Sequence, residues 1–288
     1  MALFDLVIMV DWSAAASPGP AKPSADRCWL AWGAKGNLST AEYFRTRSAC
    51  MERIHELLVD FDGSACVGFD FPFGYPAGSG LGGGRAAAAY IARNLTSDTS
   101  DKNNRFEVAA NFNETISSGA GPFWGCPASA ASEYLTVKKP DFNHDEFTEW
   151  RIVEKFLRDE RRENSISTVW KLYTTGSVGS QSLTGLKELN DLARQPDLAH
   201  RIRFWPFETN WEVDLDGIIL TEIWPSLNSH TSYDHPIKDA RQVLACRDWL
   251  LDKIASGEAR EAFAAPHWLA LPDERKCRME EGWILGVR

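Results

Sequence analysis

The sequence predicts an α/β fold built on a single sheet. Short apolar runs rich in β-branched residues recur at 5–11 (DLVIMVD), 66–71 (CVGFDF) and 217–223 (GIILTEI). Each has the length and composition of a buried strand. Helical spacing of apolar residues separates the first two runs and follows the third. The first 71 residues read in the order strand, strand, strand, helix, strand.

Each element has its own reason. The run 5–11 is a central strand. Residues 13–24, rich in Ala, Ser, Pro and Gly, form a loop. The alternating aromatic stretch 27–33 (RCWLAWG) is a second strand, Lys35-Gly36-Asn37 a turn, and 42–45 a short third strand. Their closeness in sequence predicts an antiparallel meander. Ser48 caps a helix to about residue 60, with Ile54, Leu57, Leu58 and Phe61 on one face. The strand 66–71 stops at Pro72. Beyond it, 78–84 is a glycine-rich turn or lid and 85–93 an alanine-rich helix. Residues 94–145 are polar and carry no clear period. Helices follow at 146–161 and 186–194, with a loop containing GSVGSQSLTG before the second, and 202–207 is an extra strand. The strand 217–223 stops at Pro225. A helix at 239–251 buries Ala240, Val243, Leu244, Leu250 and Leu251, and 282–287 is an edge tail. One domain spanning 1–288 is expected, with an insertion of about residues 72–175.

Composition narrows the function classes. The chain has 288 residues, with 44% hydrophobic and 25% charged, as in an ordinary globular protein. Lys plus Arg is 31 and Asp plus Glu is 40, a net charge of −9. That argues against coating DNA by charge alone, which needs a basic surface. No apolar run approaches the roughly 18 residues of a membrane span, and no secretory signal is read. The six cysteines form no CxxC pair. Reduced thiols in a cytoplasmic protein are expected, with no membrane partner.

Acids at the strand ends are the informative feature. Asp11 ends the first strand, Asp70 and Glu222 sit near the ends of two more, and Asp239 opens the last helix. A carboxylate closing an apolar strand is costly unless it is paired or metal-bound. Singly, Asp11 reads equally as a turn cap, Asp70 as an arginine partner and Asp239 as a helix N-terminal acid.

With these positions, the chain resembles the RNase H-like superfamily. More narrowly, it resembles a bacterial family of unknown function described as predicted RNase H-like nucleases. The resemblance rests on VDWSAA (10–15), GFDFPFGYP (68–76), GSQSLTGL (179–186), TEIWPS (221–226) and KDARQVLA (238–245). It implies a mixed five-stranded sheet, order 3-2-1-4-5, flanked by helices, with a large α-rich insertion after strand four. It also implies that Asp11, Asp70, Glu222 and Asp239 are catalytic and bind Mg²⁺ or Mn²⁺, the hard ions suited to carboxylates. Two such ions about 3.5–4 Å apart would activate water against a phosphodiester. Asp234 is the alternative fourth ligand. His235 is read either as orienting water or phosphate, or as a solvated loop residue.

The expected function is thus a metal-dependent phosphodiesterase or nuclease acting on nucleic acid or a nucleotide. Ser13, Trp12, Trp224 and His235 are candidate substrate contacts. A non-catalytic binding or regulatory protein on the same fold is the alternative. A phosphotransferase of the sugar-kinase and actin type is disfavoured, because it would need a second copy of the core. The glycine run 78–85 lacks the Lys-Ser/Thr of a P-loop. Arg85, Arg93, Lys102 and Arg105 read as solvated charge, with phosphate contact as the alternative. Trp124, Trp170, Trp205, Trp211 and Trp224 read mostly as packing, with base stacking as the alternative.

Overall fold

A computed structural model describes residues 3–34, 36–163 and 165–288. Lys35, and with it the start of the expected turn, lies outside the described residues. The fold is α/β, with one mixed sheet between two layers of helices.

The sheet has seven strands: β1 (Leu6–Asp11), β2 (Cys28–Ala34), β3 (Asn37–Leu38), β4 (Glu42–Phe44), β5 (Ala65–Phe69), β6 (Ile202–Phe204) and β7 (Ile218–Glu222). Their spatial order is β3-β2-β1-β5-β7-β6, and β4 pairs with β2 beside β3. The expected count of five therefore rises to seven, through the two-residue β3 and the edge strand β6. β1 pairs antiparallel with β2 and parallel with β5, and β5, β7 and β6 continue in parallel. The chain reverses its direction of strand addition between β1 and β5. In open α/β sheets, ligands bind at the carboxyl ends of the strands at such a point.

Alternation along the strands sorts the core into two halves. Leu6, Ile8, Val10, Val67, Phe69, Ile218 and Leu220 face one side. There they meet α1 (Arg47–Val59), α2 (Gly84–Ala92), α3 (Arg105–Ser117) and α5 (Gly179–Leu192). Val7, Met9, Cys66, Ile219 and Ile223 face the other. That side is covered by α4 (Ile152–Asp159) and α6 (Lys238–Ser256).

Several expected boundaries change. Thr46, not Ser48, caps α1, its side chain accepting from the Ala49 N–H. The helix expected at 146–161 is confined to α4. The unassigned stretch 94–145 contains α3, whose buried residues Arg105, Val108, Ala109, Phe112 and Asn113 follow helical spacing. Its stripe is polar at both ends, which hides the period. GSQSLTG is helix, not loop. Its small residues let α5 pack closely on the segment that follows β5, and a Cβ on Gly185 would collide with the Phe71 ring. The glycine run is a tight turn rather than a free lid. Gly74 bridges Gly83, and the Tyr75 N–H donates to the Gly82 carbonyl. In the tail, Ile284 forms a single bridge beside Glu222. The segment 72–175 shares the core of the sheet, through Phe73, Tyr75, Ala87, Phe112 and Trp170.

A buried ionic centre closes the structure behind β7. The Arg151 guanidinium donates to both Glu222 carboxylate oxygens (2.8 and 2.7 Å), to Glu154 Oε1 (2.8 Å) and to the Glu281 carbonyl (2.9 Å). All three side chains are buried. Burial pushes the Glu154 carboxyl up to about 7 against the pull of Arg151. One guanidinium serving two carboxylates cannot fully offset both.

Arg151→Met, which leaves two buried carboxylates without a cation, is expected to lose about 3–5 kcal/mol of stability. Urea unfolding would check this. A loss below about 1 kcal/mol would mean that the centre does not hold the fold together.

Candidate active site at the carboxyl edge of the sheet

Asp11 is the last residue of β1. Its alternation with Val7 and Met9 turns it toward α6. Asp70 follows β5 and shares the parity of Cys66 and Gly68. At Gly68 a Cβ would lie 2.6 Å from Met9 Sδ and 2.7 Å from Ile223 Cγ2, so this face is tightly packed just before the acid. The Trp12 N–H donates to Asp70 Oδ1 (2.6 Å), tying the ends of β1 and β5 together. Asp239 lies in the first turn of α6, and its Oδ2 accepts from the Asp26 N–H (2.7 Å). The first turn of a helix favours an acid.

The electrostatics show that these carboxylates share one neighbourhood. Burial, then Asp70, Asp239 and Asp26, hold the Asp11 carboxyl well above its usual range, with Lys238 opposing. Burial is the main cause for Asp70 and Asp239 as well; for Asp70, neighbouring Cys28 and Asp239 also raise it. The Trp12 and Asp26 N–H groups oppose these shifts. Among the described residues, none of Asp11, Asp26, Asp70 and Asp239 makes an ion pair with Lys, Arg or His. The Cys246 thiol on α6 lies close enough to feel Asp70 and Asp11, and burial pushes it up to about 12.

Glu222 does not join this group. Its partner across the sheet is Phe69, so the residue level with Asp70 is Ile223. Ile223 takes the acid face. Glu222 faces away into the Arg151 centre, where its Oε2 also accepts from the Phe73 N–H (3.3 Å). It is a structural acid.

The expected substrate contacts are reassigned. Trp12 is buried, packs on Phe69 and Phe71, and donates from Nε1 to Thr184 Oγ1 (3.3 Å), so its ring offers no stacking face. Ser13 is buried and donates to the Asp26 carbonyl (3.0 Å), pinning the loop between β1 and β2. The His235 Nδ1 accepts from the Ile237 N–H (3.1 Å), and the ring packs edge-on to Trp29. It caps the entry to α6. Trp224 is half-buried against Leu227 and the α6 side of the core. Asp234 is exposed, so Asp239 is the fourth acid by position. Trp170, Trp205 and Trp211 are core residues.

Sequence reading missed Asp26. It stands in a left-handed turn (φ 56°) just before β2, and its backbone is held by Asp239 and Ser13. An acid beside the strand that pairs with β1 was the available signal. It also missed Arg47, which is buried and donates to the Ser13 and Ala15 carbonyls (3.1 and 2.7 Å), fixing the chain just after Asp11.

The chemistry of the donor set suits a hard divalent ion. Carboxylate oxygens cluster without a basic partner, and Asp11 accepts no hydrogen bond among the described residues. The same residues contain no group of three or more His, Cys, Asp or Glu arranged to hold a metal ion. Mg²⁺ is commonly held by only one or two carboxylates, with water and substrate completing its shell. Asp11 and Asp70, tied through Trp12, match that simpler requirement.

The raised Asp11 and Asp70 groups bind protons more tightly in the folded chain than in the unfolded one. Stability from this source should therefore rise as pH falls from about 7 toward about 4. Asp11→Asn should melt higher than wild type at neutral pH, with the gap closing on acidification. Melting curves across that range check it; an Asn variant that melts lower at neutral pH would contradict the repulsion.

No family model, curated protein or solved structure matches this chain.

Proposed function

We propose that the carboxyl edge of the sheet is the active site of a divalent-metal-dependent phosphodiester hydrolase of RNase H-like type, acting on nucleic acid or a nucleotide. The observation that carries the reading is the convergence of Asp11, Asp70 and Asp239, none of them ion-paired among the described residues, on the topological switch point. The strand order around β1 supports the RNase H-like assignment. Six free, buried cysteines support a cytoplasmic setting. Among the described residues no helix is long and apolar enough to cross a membrane.

In this reading Asp11 and Asp70 hold Mg²⁺ or Mn²⁺. The ion supplies charge neutralisation on the phosphodiester and lowers the pKa of water. Asp70 keeps Oδ1 on the Trp12 N–H and offers Oδ2. Asp239 keeps Oδ2 on the Asp26 N–H, leaving Oδ1 to take a proton from the attacking water. Burial raises its affinity for a proton, the direction that role needs. Glu222 has no part in the chemistry. The lack of a group of three ligands favours one other reading, a non-catalytic binding protein on the same fold.

Calorimetry and melting curves with Mg²⁺ and Mn²⁺ separate the two. An ion that binds only the folded chain stabilises it by about 1.4 kcal/mol at about ten times Kd. Wild type and Glu222→Gln should both gain stability from the ion, although Glu222→Gln starts from a lower melting temperature. Asp70→Asn should gain none. Phosphodiester cleavage should follow the same pattern. A wild-type protein indifferent to about 10 mM Mn²⁺, far above an ordinary catalytic-ion Kd, would leave the binding-protein reading in place.

A further inference from the structure

A second feature lies at the same edge of the sheet, on the opposite face. Arg105 is only 9% exposed. Its Nε donates to Ser180 Oγ (2.9 Å) and its Nη1 to Asn103 Oδ1 (2.9 Å). The guanidinium lies 4.4 Å from the centre of the Phe106 ring. Among the described residues it forms no ion pair with a carboxylate, and the charged group that acts on it most strongly is another arginine, Arg47. Arg47 is itself spoken for: Asp101 lies 3.6 Å away, and its guanidinium also donates to the Ser13, Ala15 and Asp101 carbonyls. A buried guanidinium with no counter-ion and a like-charged neighbour is an expensive arrangement. Among the described residues Nη2 makes no hydrogen bond, and it is not sealed from solvent.

Ser180, the acceptor of the Arg105 Nε, lies in the first turn of α5, a helix of 14 residues. That turn has no acidic residue, and its N-cap, Val178, supplies no side-chain cap. The Gly179 N–H donates to the Lys171 carbonyl, whereas the Ser180 and Gln181 N–H groups have no acceptor among the described residues. The positive end of a helix, free N–H donors and a free guanidinium nitrogen therefore meet at one place.

We propose that Arg105 and the N-terminus of α5 form a subsite for a phosphate-class oxyanion. The planar fork of arginine and helix N–H groups are the donors that tetrahedral oxyanions take. The subsite adjoins the acids: Gln181, one residue further along α5, donates from Nε2 to the carbonyl of Trp12 (2.7 Å), which follows Asp11. It is independent of the divalent-ion reading, since it needs no cation. If both hold, it seats a phosphate of the substrate beside the acids.

The test titrates inorganic phosphate into the full chain without divalent ions, with sodium chloride balancing ionic strength. The readouts are calorimetry and melting temperature. Wild type should show saturable binding and a melting temperature that rises with phosphate but not with chloride. Arg105→Gln should weaken phosphate by at least about tenfold. Asn103→Asp is the second variant; it sets a carboxylate on Arg105 where Asn103 Oδ1 stands and gives up the Asn103 Nδ2 donation to the Asp101 carbonyl (2.8 Å). It should stay folded and lose the phosphate response, because the counter-ion is then built in. A wild type that responds equally to phosphate and chloride, or an Asn103→Asp protein that responds like wild type, overturns the proposal. Neither result bears on metal binding, which is read separately with Asp70→Asn.

Discussion

The Arg151 centre is the constraint around which the molecule is arranged. One buried guanidinium joins the end of β7, the start of α4 and the Glu281 carbonyl. Glu281 extends the junction, its carboxylate accepting from the Ala77 N–H (3.0 Å) and the Ile152 N–H (2.6 Å). A π-helical turn at Cys277–Glu281 delivers that side chain. Parts of the chain more than 200 residues apart are thereby locked around the segment that follows Asp70. A buried ion pair of this kind adds little net stability over an apolar substitute, but losing one member is costly. Its effect is to fix geometry.

That geometry explains why the sheet carries two separate acidic features. Along β7, Glu222 faces one way and Ile223 the other, so the strand presents a carboxylate to Arg151 and an alkyl side chain to the acids. A shift of one residue in the register against β5 would exchange them. Among the described residues Asp11, Asp70 and Asp239 form no ion pair, with Lys238 only partly opposing the charge of the first and last. Their only direct anchors among the described residues are the Trp12 and Asp26 N–H groups. A backbone N–H orients a carboxylate without neutralising it, and the proton affinities stay high. The site therefore holds repulsion that a proton relieves.

Much of this was legible from residue types alone. The α/β class followed from three apolar runs, and Asp11 and Asp70 drew notice because a carboxylate closing such a run has few inexpensive explanations, with Asp239 noticed at the start of the last helix. Glu222 was misassigned because its place along the strand was legible and its face was not. Facing depends on register with a partner strand, which no local pattern encodes. Trp12, Ser13 and His235 were near the right place with the wrong role, since side chains next to an acid are as often used to hold the loop as to meet a ligand. The helix at GSQSLTG was hidden because small residues read as flexible, whereas here they permit close packing. Arg105 was lost to the default that basic residues are solvated, which burial alone overturns, and nothing in its neighbours' residue types singled out the buried Arg151.

The net charge of −9 weighs against an anionic substrate, yet local arrangement governs what a site attracts. At the carboxyl edge the charges are sorted by face. Among the described residues the carboxylates on the α6 side are unpaired, and on the α5 side Arg105 stands without a carboxylate beside Arg47, which is paired with Asp101. The strand ends and Trp12 lie between them, with Trp12 bound to Asp70 on one side and to Gln181 and Thr184 on the other. The two charges thus remain distinct instead of collapsing into internal ion pairs. A phosphate needs a cationic seat, and a divalent ion needs an anionic one. Keeping the two apart but adjacent leaves each available to a ligand, at the cost of burying like charges beside one another in the free protein.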